Sequence, residues 1–490
     1  MRSQNRKLHW PRIRLFDDRG MAQEMRKGLY CAIWAVTASM LGSVVTTGAV
    51  WSGFQRNILR ANDMQIGLIA AIPVAANVLQ LFISYYMERK RNRRFLFLFF
   101  GLVGRFFWIP IGLVPYLFPG FSVDLRIWLV IVFVVLISCG NCFVNLGFGS
   151  LMGDLVPMRI RGQYFSVRSK FSLICGIAAG LLVSVLVDRL GNAGYTIALV
   201  LAGVSMMVDI SCFFGFEWPE MPATAEAKQM PSFGSMFKEV FQNKSFMRVV
   251  LSFTAWQFAS NIAAPFWNVY ALEDLQMSYT NITLFSQIVS NISTVLIISR
   301  WGRLMDRYGN KPVLELAAVF CVLAPLPWFF ATPAATIYVL ISNIISGAAW
   351  PVTDICQQNL YLSESPATHR SMYIAVLFAS INLLGVALGN TVGGYLMQDV
   401  FSVWAESKTA LWGITMTNSH YMFLATMALR VLVCVLFLPR ITEQGAWKLG
   451  AMLRDMWLRT KTGFQRRIFG IRAYVLRKRA RRKMERERED

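Results

Sequence analysis

Apolar runs of about 20 residues recur along the chain, separated by short polar stretches, and their length decides what they are. At 1.5 Å of rise per residue, about 20 helical residues cross a hydrocarbon core of roughly 30 Å. Twelve such runs are readable, near 28–51, 63–86, 95–117, 127–152, 169–188, 193–216, 247–272, 280–300, 313–331, 335–359, 371–397 and 417–438. Backbone polar groups in lipid must be satisfied within their own segment, so each run is expected to be a helix. Barrel strands would be about 10 residues long with alternating polarity, and no such alternation occurs. The expected fold class is an all-α polytopic membrane protein with twelve spans.

The polar stretches are unequal in charge. Only five of the 49 Lys and Arg, namely Arg56, Arg60, Arg126, Arg189 and Lys408, fall in the loops after odd-numbered spans. Nearly all the others sit in the N-terminal segment, the even-to-odd loops or the tail. The positive-inside rule then expects both termini in the cytoplasm and the chain in the inner or plasma membrane. Composition agrees: 55% of residues are apolar and 16% charged, against about 25% charged in soluble domains. The net charge of +22 thus reads as topology, and no nucleic-acid partner is expected. The first 27 residues are basic, and no small-residue cleavage site follows the first span, which argues against a removable leader. All eight Cys lie in expected spans, so no disulfide framework is implied. The CGNC stretch, Cys139 to Cys142, reads as small packing residues at mid-membrane.

A duplication underlies the twelve spans. The longest polar loop divides six from six, giving a basic segment 1–27, a bundle 28–216, a loop 217–246, a bundle 247–438 and a tail 439–490. Shifting by 218 residues lays MERKRNRRFL from Met87 on MDRYGNKPVL from Met305, with Met, acid, Arg, Asn, base and Leu in register. Shifting by 209 lays PMRIRGQYF from Pro157 on PATHRSMYI from Pro366. Both echoes fall after the second and fourth spans of each half.

With these loops the chain resembles the major facilitator superfamily. Its G-x-x-x-D-[RK]-x-G pattern is matched by Gly302, Asp306, Arg307 and Gly309, with Arg303 inside and Lys311 following. The first copy departs from it, with Ser84, Glu88, Arg89 and Arg91 at the corresponding places. The resemblance implies two pseudo-symmetric six-helix bundles that alternate in access. It also implies that the acidic residue latches the cytoplasmic side to the opposite half. Asp306 is therefore expected near the start of the fifth span, beside Arg161 and Arg168, and Glu88 near the eleventh, beside Arg370. On physical grounds Gly309 supplies a turn that a side chain would obstruct, and a carboxylate suits a helix start. The alternative is a solvated loop that only sets topology.

The same resemblance implies that the first, fourth, seventh and tenth spans line a central cavity. Their polar residues fall on stripes: Ser39, Gly42 and Thr46; Asn141 and Asn145; Gln257, Asn261 and Asn268 with Trp267 beside Pro265; Asn343, Gly347, Trp350 and Asp354 beside Pro351. Amides and indole suit a small polar solute, sugar-like or zwitterionic; the alternative is helix-to-helix glue. Intramembrane charge is rare and marks function or pairing. Arg105 and Asp209 lie at similar depth on spans three and six and are expected to pair, as are Arg430 and Glu315 on spans twelve and nine. Asp354 is the candidate for a coupling proton or sodium ion. His420 opens the twelfth span at the outer surface.

The fifth span, CGIAAGLLVSVLVDRLG, lacks the Pro and paired Gly of the superfamily's drug–proton antiporters, while GVALGNTVGG in the eleventh has Asn390 where Pro would stand. In the tail, Trp447, Met452, Leu453, Met456 and Trp457 recur at helical spacing among Arg and Lys, as in a helix lying on anionic lipid. Three His, no H-E-x-x-H and no G-x-x-x-x-G-K-[ST] leave no visible catalytic, metal or nucleotide site, so neither an enzyme nor a cofactor is expected. The expected function is secondary active transport of a small polar solute, ion-coupled. Drug or metabolite efflux, a membrane-embedded transferase and a receptor or scaffold signalling through the tail are the competing readings.

Overall fold

A computed structural model describes residues 22–461 apart from 81, 84–85, 87–91, 158–159, 217, 219–232, 367–369, 412, 444 and 460. The spans are α1 Gln23–Thr47, α2 Asp63–Ala76, α3 Arg93–Leu117, α4 Val123–Leu155, α5 Arg161–Leu190, α6 Asn192–Ser211, α7 Lys244–Asn261, α8 Tyr279–Tyr308, α9 Asn310–Phe329, α10 Ile337–Glu364, α11 Met372–Glu406 and α12 Asn418–Leu436. Ten of them are long and apolar enough to cross a membrane as single helices. The other two are interrupted: α2 is described over 14 residues, and α7 breaks after Asn261 and resumes as Phe266–Glu273 behind Pro265. Proline has no N–H and its ring crowds the preceding turn, so a break there follows from the sequence. Between α11 and α12, β1 Ala410–Leu411 pairs antiparallel with β2 Ile414–Thr415.

Helices α1–α6 and α7–α12 form two six-helix bundles. In the first, α1 packs on α5 and α6, and α3 on α4; in the second, α10 packs on α8 and α9, and α7 on α11 and α12. The PMRIRGQYF and PATHRSMYI echo has a structural counterpart. Tyr164 and Tyr373 are both fully buried, Tyr164 donating to the Leu29 carbonyl at 3.0 Å and Tyr373 to Glu239 at 3.4 Å.

The apolar cores show how the bundles meet. Near the face that carries the ends of the described chain, here the terminal face, each bundle has its own core. Leu29, Phe97, Leu151, Tyr164 and Phe213 form one; Phe246, Trp301, Tyr308, Val352 and Tyr373 form the other. Towards the opposite, far face a single core joins both bundles, from Phe54, Val130 and Val187 to Ile262, Phe266 and Met397. There α2 and α11 come close enough that a Cβ on Gly67 would sit 2.5 Å from the Asn390 carbonyl. The small residues of GVALGNTVGG therefore serve contact with α2 and α7.

The loop GRLMDRYGNK is held by its own bundle's tail. Gly309 takes φ +93°, a backbone conformation that favours glycine. Glu443 then accepts from the backbone N–H of Asn310 at 3.1 Å and of Lys311 at 2.7 Å, a carboxylate on the start of α9. Tyr308 and Arg307 both meet Asp455, at 2.7 and 3.3 Å. The tail helix 449–459 buries Met452 against this bundle while Trp447, Leu453 and Trp457 stay exposed.

Candidate functional site

Two adjoining cavities lie beside the break in α7. The larger, about 370 Å³, is within the roughly 300–1,000 Å³ typical of small-molecule sites. Its wall is built from α7 and the segment after its break (Gln257, Ser260, Asn261, Trp267, Asn268), α8 (Ser286), α9 (Trp328), α10 (Ser342, Asn343, Trp350) and α12 (Arg430). The smaller, about 230 Å³, shares Asn268, Ile282 and Ser286 with it and reaches the first bundle at Val44, Thr47 and Ser184. A membrane helix unwound at mid-depth frees backbone and side chains for a ligand, which is why such breaks sit at transport sites.

The wall offers both faces and hydrogen-bond groups. Trp267 stacks on Phe423 with centroids 4.6 Å apart and meets Trp328 at 5.3 Å, so both indoles are held. Asn261 Nδ2 donates to the Gln257 carbonyl at 2.8 Å, and Asn343 Nδ2 to the Val339 carbonyl at 2.9 Å. With both donors of Asn261 and one of Asn343 tied to their own helices, these amides still have carbonyl oxygens to offer as acceptors. Ser260 Oγ and Arg430 Nε are buried and have no hydrogen-bond partner among the described residues.

Of the nine expected cavity residues, Gln257, Asn261, Asn268, Asn343 and Trp350 line the larger cavity; Thr46, Asn141, Asn145 and Asp354 line neither. Thr46 donates back to the Gly42 carbonyl at 2.9 Å, and Gly42 faces Met206 of α6, so the Ser39–Gly42–Thr46 stripe points into the first bundle. Val44 and Thr47 are the cavity positions of α1. Asn141 and Asn145 are exposed on α4. Asp354 is exposed one turn beyond Trp350 towards the terminal face.

The intramembrane charges divide. Arg105 binds Asp209 directly and donates to the Met206 carbonyl at 2.9 Å. Arg430 does not reach Glu315, contrary to expectation. It donates to the Cys321 carbonyl at 2.7 Å and lies over the Trp350 ring at 5.3 Å, while Glu315 faces Lys311 at 3.9 Å. Six residues of helix, about 9 Å, separate Glu315 from Cys321 in depth. His420 does open α12, as expected, and its side chain is buried there, with Nδ1 on the Thr417 hydroxyl at 2.7 Å.

Every hydrogen bond and ion pair between the bundles, among the described residues, lies towards the far face. Arg56 bridges Asp63 at 3.0 Å and Glu273 of the second bundle at 2.6 Å. Asp188, at the end of α5, accepts from Tyr279 N and Thr280 N, both at 2.9 Å, and from Thr280 Oγ1 at 2.6 Å. It thereby caps α8, where an anion is favoured. Tyr195 bonds Tyr279, Asn57 donates to Tyr195 at 2.8 Å, and Ser184 bonds Thr283 at 2.6 Å. Nearby, burial and then the Glu273 and Asp63 carboxylates, against the pull of Arg56, push Asp274 up to about 6. These gate residues went unread in the sequence; Arg56 stood out only as a cation on the side where cations are few.

At the terminal face the two expected latch residues whose side chains are described, Asp306 and Arg168, do not pair. Asp306 is exposed and meets no ion-pair partner among the described residues. Arg168 covers the Phe148 ring at 4.6 Å instead. Glu88 and Arg89 lie outside the described residues, as do the side chains of Arg161 and Arg370. Gly302, Arg303, Arg307, Gly309 and Lys311 occupy the α8–α9 turn described above.

The model for the family described as Major Facilitator Superfamily matches residues 32–390. No curated protein matches the sequence. Solved structures of transporters share the fold. A nucleoside transporter, NupG, is 16% identical with a TM-score of 0.67, covering 85% of this chain and 100% of its own. A D-xylose–proton symporter is 15% identical with a TM-score of 0.64, covering 87% and 100%. A bacterial homologue of the human lysosomal transporter Spinster, inward-facing, is 16% identical with a TM-score of 0.62, covering 86% and 98%.

Proposed function

The chain belongs to the major facilitator superfamily, and from that premise we propose that it is a secondary active transporter carrying a small polar solute by alternating access. The observation that carries this is the placement of a cavity with polar groups on its wall beside a broken helix, with the hydrogen bonds and ion pairs between the bundles, among the described residues, on one side of it. One mouth is closed by Asp188, Arg56 and Tyr279, while at the other no hydrogen bond or ion pair joins the bundles among the described residues. By the distribution of Lys and Arg the terminal face is cytoplasmic, so this is the inward-facing state. In the opposite state Asp306 engages the start of α5 and closes the terminal face, and the far-face contacts release. Each such contact contributes about 0.3–2 kcal/mol, small enough for a gate that must open.

The cavity's acceptor oxygens and held indoles suit a hydroxyl-bearing solute: carbonyls take its O–H groups and indoles cover its C–H faces. Asp354, exposed below the cavity, is the carboxylate that would carry a coupling proton. The test is reconstitution of the purified chain in proteoliposomes with radiolabelled sugars, polyols, sugar acids and nucleosides, scored for saturable counterflow. Counterflow abolished by Asn261→Ala supports the assignment. A chain that binds a solute in this cavity yet never exchanges it across the bilayer contradicts it.

A further inference from the structure

Arg430 is 3% exposed and lies on the wall of the larger cavity, so its charge sits in a low-dielectric interior where a counter-charge matters most. Among the described residues no carboxylate pairs with it. Nη1 has a backbone carbonyl, that of Cys321, and the guanidinium plane has an indole face, that of Trp350. Nε has no partner. The residue whose carbonyl Arg430 binds, Cys321, and Cys434 one turn further along α12 both carry thiols. Of the carboxylates on adjoining helices, Glu315 faces Lys311, and Asp354 is exposed and makes no ion pair with Arg430. Two further arginines of the spans have acids in contact: Arg105 binds Asp209, and buried Arg93 pairs with Asp154 at 2.5 Å. A buried guanidinium left without an anion is costly, and a cavity opens where that anion could enter.

Resting on the transporter reading of this cavity, we infer that the solute is an anion: a small hydroxyl-bearing molecule with one carboxylate or phosphate, which Arg430 receives. The fork of a guanidinium matches such groups and binds them by charge-assisted hydrogen bonds. The unbonded Ser260 hydroxyl of the same wall adds a further polar contact. Trp350, held under Arg430, keeps the guanidinium in place as the site empties. Amides and indoles then read the uncharged remainder.

The experiment uses matched acid and neutral probes on the purified full chain: D-glucuronate with D-glucose, D-gluconate with sorbitol, and glycerol 3-phosphate with glycerol. Thermal shift and equilibrium binding are read for the native chain, Arg430→Gln and Arg430→Lys. The acid of at least one pair is expected to raise Tm and bind, its neutral partner at least tenfold more weakly. Arg430→Gln should erase the difference, and Arg430→Lys should retain part of it. If the Gln variant does not fold, a Lys variant with unchanged acid affinity and selectivity overturns the inference. So do neutral probes that bind as well as their acids, acid binding unaltered in Arg430→Gln, or a panel in which no acid binds. Flux separates the two claims. Arg430-dependent acid binding without exchange across proteoliposomes refutes transport and leaves the anion site standing; exchange of neutral solutes indifferent to Arg430 does the reverse.

Discussion

The two bundles each bury an arginine between their third and sixth helices and treat it oppositely. In the first, Arg105 of α3 is closed off by Asp209 of α6. In the second, Arg430 of α12 meets the Cys321 carbonyl of α9 and the Trp350 ring, pairs with no acid among the described residues, and opens on a cavity. The arginine stands on the third helix of one bundle and the sixth of the other, and a facing carboxylate, present in one and absent in the other among the described residues, separates a structural pair from the proposed binding group. The comparison teaches that charge in a membrane bundle is read by its partner: satisfied within the protein it holds helices together, unsatisfied beside a cavity it awaits a ligand.

The largest effect that could break this contrast is on stability. Removing one partner of a buried pair leaves a stranded charge, so Asp209→Ala should cost about 3–5 kcal/mol, seen as a large loss in thermal unfolding temperature in detergent. Arg430→Gln in the absence of solute should cost far less or stabilise. Equal losses for both would dissolve the distinction. Next, Cys321→Asp supplies the second bundle with the acid it lacks. It should stabilise the empty protein by about 1.5–3 kcal/mol, the scale of a charged hydrogen bond, and abolish binding of acid probes. Stabilisation with binding intact would mean that the anion is received elsewhere.

A contrast of the same kind sets the faces against each other: Asp188 is engaged at the far face, while Asp306 meets no ion-pair partner among the described residues. Asp188→Asn should weaken the cap on α8 by about 1 kcal/mol, roughly a fivefold shift towards the far-open state. The readout is faster labelling of a cysteine placed at buried Ala49 in a cysteine-free background. Asp306→Asn should leave that rate unchanged or slow it, because it removes a lock that belongs to the other state. The smallest effect concerns Asp274, whose side chain keeps one side in water. With its pKa raised to about 6 in this state, it binds more protons here than when fully hydrated. This closed form therefore gains as pH falls from 7 to 5 and loses as pH rises through 6. Labelling at position 49 should slow on acidification in the native chain and lose that dependence in Asp274→Asn.

Much of the fold was legible because it is set by span length and by charge between spans, both local properties. Gln257, Asn261, Asn268, Asn343 and Trp350 were legible as residues of one cavity wall because polar residues at one helical spacing must find a polar neighbour. Thr46 failed on the same criterion, since a hydroxyl can satisfy its own helix and the stripe then carries no information about direction. Glu315 was matched to Arg430 by span number, and depth along α9 overruled it. Asp188 meets a helix start 91 residues away, and no local pattern announces such a cap. The hold of Glu443 and Asp455 on the GRLMDRYGNK turn was hidden similarly, since the basic, amphipathic spacing of the tail pointed to lipid and gave these two acids no partner within the tail's own pattern.

The central claim is that the bundles rock about the cavity, one mouth closing as the other opens. Spin-label distances measure it directly. One pair, at exposed Ser166 and Gln358, spans the terminal face, and another, at exposed Arg189 and Ala334, spans the far face. Adding a transported solute to the reconstituted protein should shorten the first distance and lengthen the second in the same fraction of molecules. Two distributions that stay fixed, or that move together in one direction, would contradict the account.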